Sequence, residues 1–149
     1  MKFWLLKSEP STWSWKDQER AIKTNWDGVR NYQARNNLIK MKKGDLCFFY
    51  HSVTLKEIVG IVKVVRESYP DPTDIKNKFV MVNVKTHKKL KIPINLEQIK
   101  EDRRLRHLGL VRQGRLSVMP IDYKSWSIIM KLSNTNPVSY THLTLPTKA

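Results

Sequence analysis

Twelve residues hold most of the chemistry available to this chain. Trp26-Asp27-Gly28-Val29-Arg30-Asn31-Tyr32-Gln33-Ala34-Arg35-Asn36-Asn37 carries two Arg, three Asn, one Gln, one Trp and one Tyr. Asn and Gln each combine donors with an acceptor and so match the polar edge of a nucleobase. Trp26 and Tyr32 offer faces on which a base stacks, a contact worth about 1–3 kcal/mol. Arg30 and Arg35 suit phosphates, and a helix starting near Asn31 presents free backbone N–H groups to an anion. The same residues also describe an ordinary helix entry, with Asn31 as N-cap and Trp26 stapled onto the core. Composition alone leaves both readings open.

Other chemistries find little support. Cys47 lies in the run Asp45-Leu46-Cys47-Phe48-Phe49-Tyr50 and reads as a small buried apolar residue. As the one cysteine it excludes a disulfide framework. His51, His87, His107 and His142 form no HxH or HExxH pair, and no glycine fingerprint for a nucleotide is present, so neither metal nor cofactor is expected. An enzymatic alternative, a nuclease or base-processing activity, would rest on Glu9 and Asp27 converging in space.

Lys and Arg number 28 against 13 Asp and Glu, a net charge of +15. Residues 1–50, 51–100 and 101–149 each carry +5, so the charge belongs to the whole body of the chain. Such a domain attracts polyanions by counterion release and long-range steering, which makes nucleic acid, DNA or RNA, the expected partner. Lys85, Lys88 and Lys89 read either as a solvated strand face or as a track for phosphates, and Arg103, Arg104 and Arg106 pose the same choice. The length suits one domain. No apolar run approaches the ~20 residues of a membrane span, and Phe3-Trp4-Leu5-Leu6 is too short for a secretory signal. A monomeric cytoplasmic domain, free or nucleoid-associated, is the expectation. Residues 138–149, VSYTHLTLPTKA, read as a translated transposon-type sequencing adapter, so the native domain is expected to occupy 1–137.

These residues must be positioned by short alternating elements. Residues 2–9 read as a first strand ended by Pro10, and SWKDQERAIK (14–23) as a short helix capped by Ser11 or Thr12. Asn25-Trp26-Asp27-Gly28 is a turn into a helix over 29–41, with Ala34, Leu38 and Met41 on its apolar face. Strands follow at 45–52 and 57–68, with Gly60 as a bulge. A proline-rich loop is expected at 69–74, one or two strands over 79–94, helix over 96–108, one or two strands over 110–121, and a closing helix over 123–132 with Ile128, Ile129 and Leu132 inward. The pattern indicates a small mixed α/β barrel.

The ordered blocks Lys7-Ser8-Glu9-Pro10, Trp13-Ser14-Trp15, WDGVRNYQARNNL (26–38), Phe49-Tyr50-His51-Ser52, VVRESYPDPT (64–73) and LVRQGRLSVMP (110–120) together resemble the EVE domain family of the PUA-like superfamily. The resemblance runs from Lys2 to about Leu132. It implies a PUA-like β pseudo-barrel of about five to six strands with flanking short helices, and a preformed pocket for a modified nucleobase. YTH-domain relatives read N6-methyladenosine in RNA, while EVE proteins are linked to modified cytosine in DNA. Carried over by motif, the pocket would involve Ser8, Glu9, Trp26, Asn31, Tyr32, Gln33, His51 and Ser52, with Arg112, Gln113, Leu116 and Ser117 on a facing wall. Arg30, Arg35, Lys85, Lys88 and Lys89 would contact phosphates. The expected function is a non-enzymatic reader of a modified base, modified cytosine in DNA favoured, with an RNA-binding accessory of translation or RNA modification as the alternative.

Overall fold

The computed structural model describes residues 1–135; the adapter-like tail and the boundary expected at residue 137 lie outside them. Its elements run β1 (Phe3–Ser8), α1 (Trp15–Ala21), β2 (Lys23–Trp26), α2 (Tyr32–Lys40), β3 (Leu46–His51), β4 (Glu57–Pro70), β5 (Val80–Asn95), α3 (Leu96–Glu101), α4 (Gly109–Arg112), β6 (Val118–Ile121) and α5 (Tyr123–Leu132), with a 3-10 turn at Arg103–Leu105. The strands form one six-stranded sheet in the order β2-β5-β4-β3-β1-β6. β1 runs parallel to β3, from Phe3 opposite Leu46 to Ser8 opposite His51, and antiparallel to β6.

β1 and β3 read as continuous apolar runs because both of their faces are covered. Phe48 stacks on Trp126 of α5 at 3.8 Å between ring centroids. Its neighbour Phe49 points the other way and meets Trp15 and Trp26 edge-on at 5.2 and 5.6 Å. Register shifts bend β4 and β5, and α2 packs against β6 on one side and β4 and β5 on the other. Ala34 and Leu38 are on its buried face together with Asn37, and Met41 is buried just past its end.

At Gly60 the backbone passes directly under the Trp15 ring, and a Cβ there would lie 2.4–2.6 Å from three ring carbons. The adjoining pairs, Phe49 with Gly60 and Tyr50 with Ile58, leave Val59 as the extra residue of the bulge.

Five sequence expectations are corrected. The helix over 14–23 stops at Ala21, and residues 23–26 form β2. The Thr86 N–H donates to the Ile22 carbonyl at 2.7 Å, a tertiary bond that pulls the chain into the sheet, and buried Gln18 donates to the same carbonyl at 3.2 Å. Tyr69 and Pro70 extend β4 instead of opening a loop, with Tyr69 Oη donating to Asn83 Oδ1 at 2.5 Å. The single helix over 96–108 is interrupted at Asp102, whose side chain caps the 3-10 turn, and 109–112 is helical where strand was expected. In α5, Ile129 is buried but Leu132 is exposed, because the helix ends there and the chain turns through Ser133. No helix among the described residues is long and apolar enough to cross a membrane.

Candidate nucleic-acid interface

The end of β1, the turn after it, β2 and the loop leading into α2 enclose a cavity of about 550 Å³. Its lining includes Ser8, Glu9, Trp13, Thr24, Trp26 and Asn31, with Ser117 entering from the approach to β6. The volume falls in the range of small-molecule pockets, roughly 300–1,000 Å³. Its shape is set by backbone bonds: Lys7 N–H donates to Ser117 O at 2.9 Å, and Thr12 and Trp13 N–H both donate to Glu9 O at 2.9 Å. Ser8 Oγ closes the same turn by donating to the Trp13 carbonyl. Trp13 Nε1 donates to Gln18 Oε1 at 2.9 Å, which ties this ring to α1.

The far wall hangs on Asp71, which is 1 % exposed. Its carboxylate accepts from Gly28 N–H at 2.8 Å, Arg30 Nη1 at 3.2 Å and Thr73 N–H at 2.8 Å. Burial works to raise the Asp71 carboxyl, but the bonds from Thr73, Gly28 and Arg30 outweigh it and hold it below its ordinary range. Gly28 supplies the left-handed turn at φ 80° that delivers its N–H there.

Asn31 both caps a helix and borders the cavity. Its Oδ1 accepts from Ala34 N–H at 2.9 Å and caps α2, while the residue also lines the cavity. The cap uses the oxygen and leaves the two Nδ2 donors uncommitted among the described residues. Trp26 is likewise both core, at 8 % exposure, and cavity wall. Thr24 carries the most informative atom. Its Oγ1 is buried with no hydrogen-bond partner among the described residues, a condition that costs about 1–3 kcal/mol. Sequence gives one signal for it, its place two residues before Trp26 on a strand, and that strand was itself hidden.

The structure therefore brings together Ser8, Glu9, Trp26, Asn31 and Ser117 of the expected set, and adds Thr12, Trp13, Thr24 and Asn25. Arg30 reaches the same cavity but is held by Asp71 and by Thr73 Oγ1 at 2.8 Å. The remaining residues lie elsewhere. Gln33, Arg112, Gln113 and Leu116 line a larger groove of about 820 Å³ on the other side of α2, against β6. The Tyr32 ring packs at a tilt against Phe79, 5.0 Å between centroids. Arg35 lies over the Tyr32 ring and donates to Lys78 O at 3.2 Å.

His51 Nε2 accepts from Trp15 N–H at 3.0 Å, so it fixes the start of α1. Ser52 belongs to a third concavity with Lys7 and Tyr50. Lys85 lies in the sheet opposite Lys63, Lys88 opposite Ile61 and Lys89 opposite Gly60. Glu9 and Asp27, the two carboxylates of the enzymatic alternative, do line one cavity, though Glu9 Oε2 already accepts from Ser11 Oγ at 2.8 Å.

The geometry has counterparts among known proteins. Mouse (Mus musculus) thymocyte nuclear protein 1 is 35% identical to this chain, over 91% of the chain and 75% of the mouse protein. The NMR structure of Rpa0253 from Rhodopseudomonas palustris superposes with a TM-score of 0.84 at 44% identity, covering 90% of this chain and 94% of that one. Human THYN1, solved in complex with DNA containing 5-methylcytosine, superposes with a TM-score of 0.85 at 32% identity, covering 92% and 100%. The EVE domain model matches residues 2–132. By that match over nearly all the described residues, this chain is a member of the EVE domain family.

Proposed function

We propose that this domain binds nucleic acid and holds a modified cytosine, turned out of DNA, in the cavity between β1 and β2. The observation that carries this reading is the buried, unpartnered Thr24 Oγ1 in a cavity walled by Trp13 and Trp26. An extruded base supplies what that wall lacks, stacking for the indoles and a polar edge for Thr24 Oγ1 and Asn31 Nδ2. A family member solved with 5-methylcytosine DNA supports the choice of ligand. Binding rather than catalysis accounts for these groups, since each is a donor, an acceptor or an apolar face. Expected phosphate contacts fall to Arg35, Lys85, Lys88 and Lys89 at the surface, with Arg30 committed to Asp71.

Titration of the purified protein with oligonucleotides carrying one cytosine or one 5-methylcytosine, as DNA and as RNA, tests the reading. Tighter binding of methylated DNA is expected, and equal affinity for all four would overturn it. One burial-scale CH₂ is worth about 0.8 kcal/mol, so the preference expected from the methyl group alone is about fourfold. The RNA arms decide the accessory reading. Incubation of the same oligonucleotides with and without Mg²⁺ addresses the carboxylates: cleavage or base release lost in Glu9→Ala or Asp27→Ala would make the domain an enzyme.

A further inference from the structure

Three neighbouring strands set lysines directly opposite one another. Lys23 of β2 faces Lys85 of β5, and Lys85 faces Lys63 of β4. Opposed residues share a face of the sheet with Cβ atoms about 4.5–5.5 Å apart, and like charges so placed destabilise it. The three lysines are exposed while their strand neighbours Val62, Val64 and Val84 are buried, which puts the row on the outer face. Among the described residues no carboxylate forms an ion pair with any of them. Nearby, the Glu67 carboxylate accepts from the Lys43 backbone N–H at 3.1 Å, and the Asp45 carboxylate from Lys42 N–H at 2.9 Å.

Lys63 and Lys85 also line a concavity of about 470 Å³ together with Lys43, Thr86 and His87. His87 Nε2 is buried without a hydrogen-bond partner among the described residues. Burial first, then Lys63 and Lys88, keep this imidazole below its ordinary pKa. An uncompensated row of ammonium groups beside an unsatisfied ring nitrogen is arranged for an anion with several oxygens.

We infer that the Lys23–Lys85–Lys63 row and the concavity beside it form a phosphate-binding surface centred on Lys85, which grips sugar-phosphate backbone away from the base cavity. The row and the cavity lie on opposite faces, since Lys23 and the buried Trp26 are three positions apart on one strand. β2 is an edge strand, so a polymer passes around it from one face to the other. The distance along β2 from Lys23 to Trp26 is about 10 Å. This inference rests on the nucleic-acid reading but not on the choice of base.

The test is a Lys23→Gln/Lys63→Gln/Lys85→Gln variant, titrated by fluorescence anisotropy with duplexes carrying cytosine or 5-methylcytosine between ~50 and ~200 mM salt. Affinity for both duplexes should fall alike, and the slope of log K against log salt should become shallower by about 2–3. The ratio between the two duplexes should stay constant. The thermal midpoint should match or exceed that of the unaltered protein, since like-charge repulsion is removed. If the triple variant fails to fold, Lys85→Gln, at the centre of the row, should reduce the slope by about 1. An unchanged slope in a folded variant overturns the inference. A shallower slope in a protein that shows no methyl preference overturns the base-cavity reading and leaves this surface standing.

Discussion

Asp71 Oδ2 accepts the backbone N–H of Gly28 at 2.8 Å across 43 residues of sequence, and this bond hangs the wall of the cavity from the turn after β4. Thr73 and Arg30 share the same carboxylate. Asp71→Ala leaves the Gly28 N–H and the Arg30 guanidinium without their acceptor and should cost about 1–3 kcal/mol of stability in urea unfolding. Affinity for methylated DNA should fall further than stability alone explains, because the 27–31 loop loses its anchor. The Asp71 pKa is lowered in the fold, so its contribution is complete above the unfolded value near ~4 and fades as pH falls through the folded one. Asp71→Asn should remove that acid dependence.

Thr24 separates function from stability. Thr24→Val replaces the unpartnered buried hydroxyl with a methyl group of similar size and should leave the thermal midpoint unchanged or raise it. If Oγ1 bonds the base, the same variant should bind methylated and unmethylated DNA about 5- to 10-fold more weakly, the loss of one hydrogen bond of about 1–1.5 kcal/mol. Unchanged binding in anisotropy titrations would remove Thr24 from the site.

Asn31 allows the cap and the pocket to be tested apart. Asn31→Ser retains a side-chain oxygen for Ala34 N–H and should keep α2 within about 0.5 kcal/mol of its stability. It deletes the Nδ2 donors, so base affinity should drop while the circular dichroism spectrum stays constant. Asn31→Ala loses both and should cost about 1 kcal/mol as well.

His51 couples pH to the position of α1. Burial lowers its pKa, partly opposed by the charge of Glu57, and the neutral ring accepts from Trp15 N–H. The unfolded chain therefore takes up the proton first as pH falls. Stability from this bond is full above the unfolded value near ~6.5 and is lost as pH falls toward the folded one. His87, lowered in the same direction, adds to the slope. Thermal melts from pH 7.5 to pH 5, as a ~2.5-unit scan across that window, should show falling midpoints in the unaltered protein and a shallower decline in His51→Gln, which keeps an acceptor without titrating.

Much of this protein is determined locally. The helical spacing of Ala34 and Leu38 dictates the buried face of α2, and the uninterrupted runs at Phe3–Leu6 and Leu46–Tyr50 dictate strands covered on both sides. The block from Trp26 to Leu38, with its neighbours, identifies the EVE family. Those properties depend on residue type and spacing over a turn or two of chain. Tertiary structure decided the rest. β2 exists because the Thr86 N–H claims the carbonyl of Ile22 and Gln18 Nε2 donates to Thr86 Oγ1, bonds between residues more than 60 positions apart. The turn at α2 sends Asn31 to one cavity and Gln33, two residues later, to another. The lysine row is written in three separate segments and becomes a surface through strand register alone, because opposition across a sheet leaves no periodic trace in any one strand.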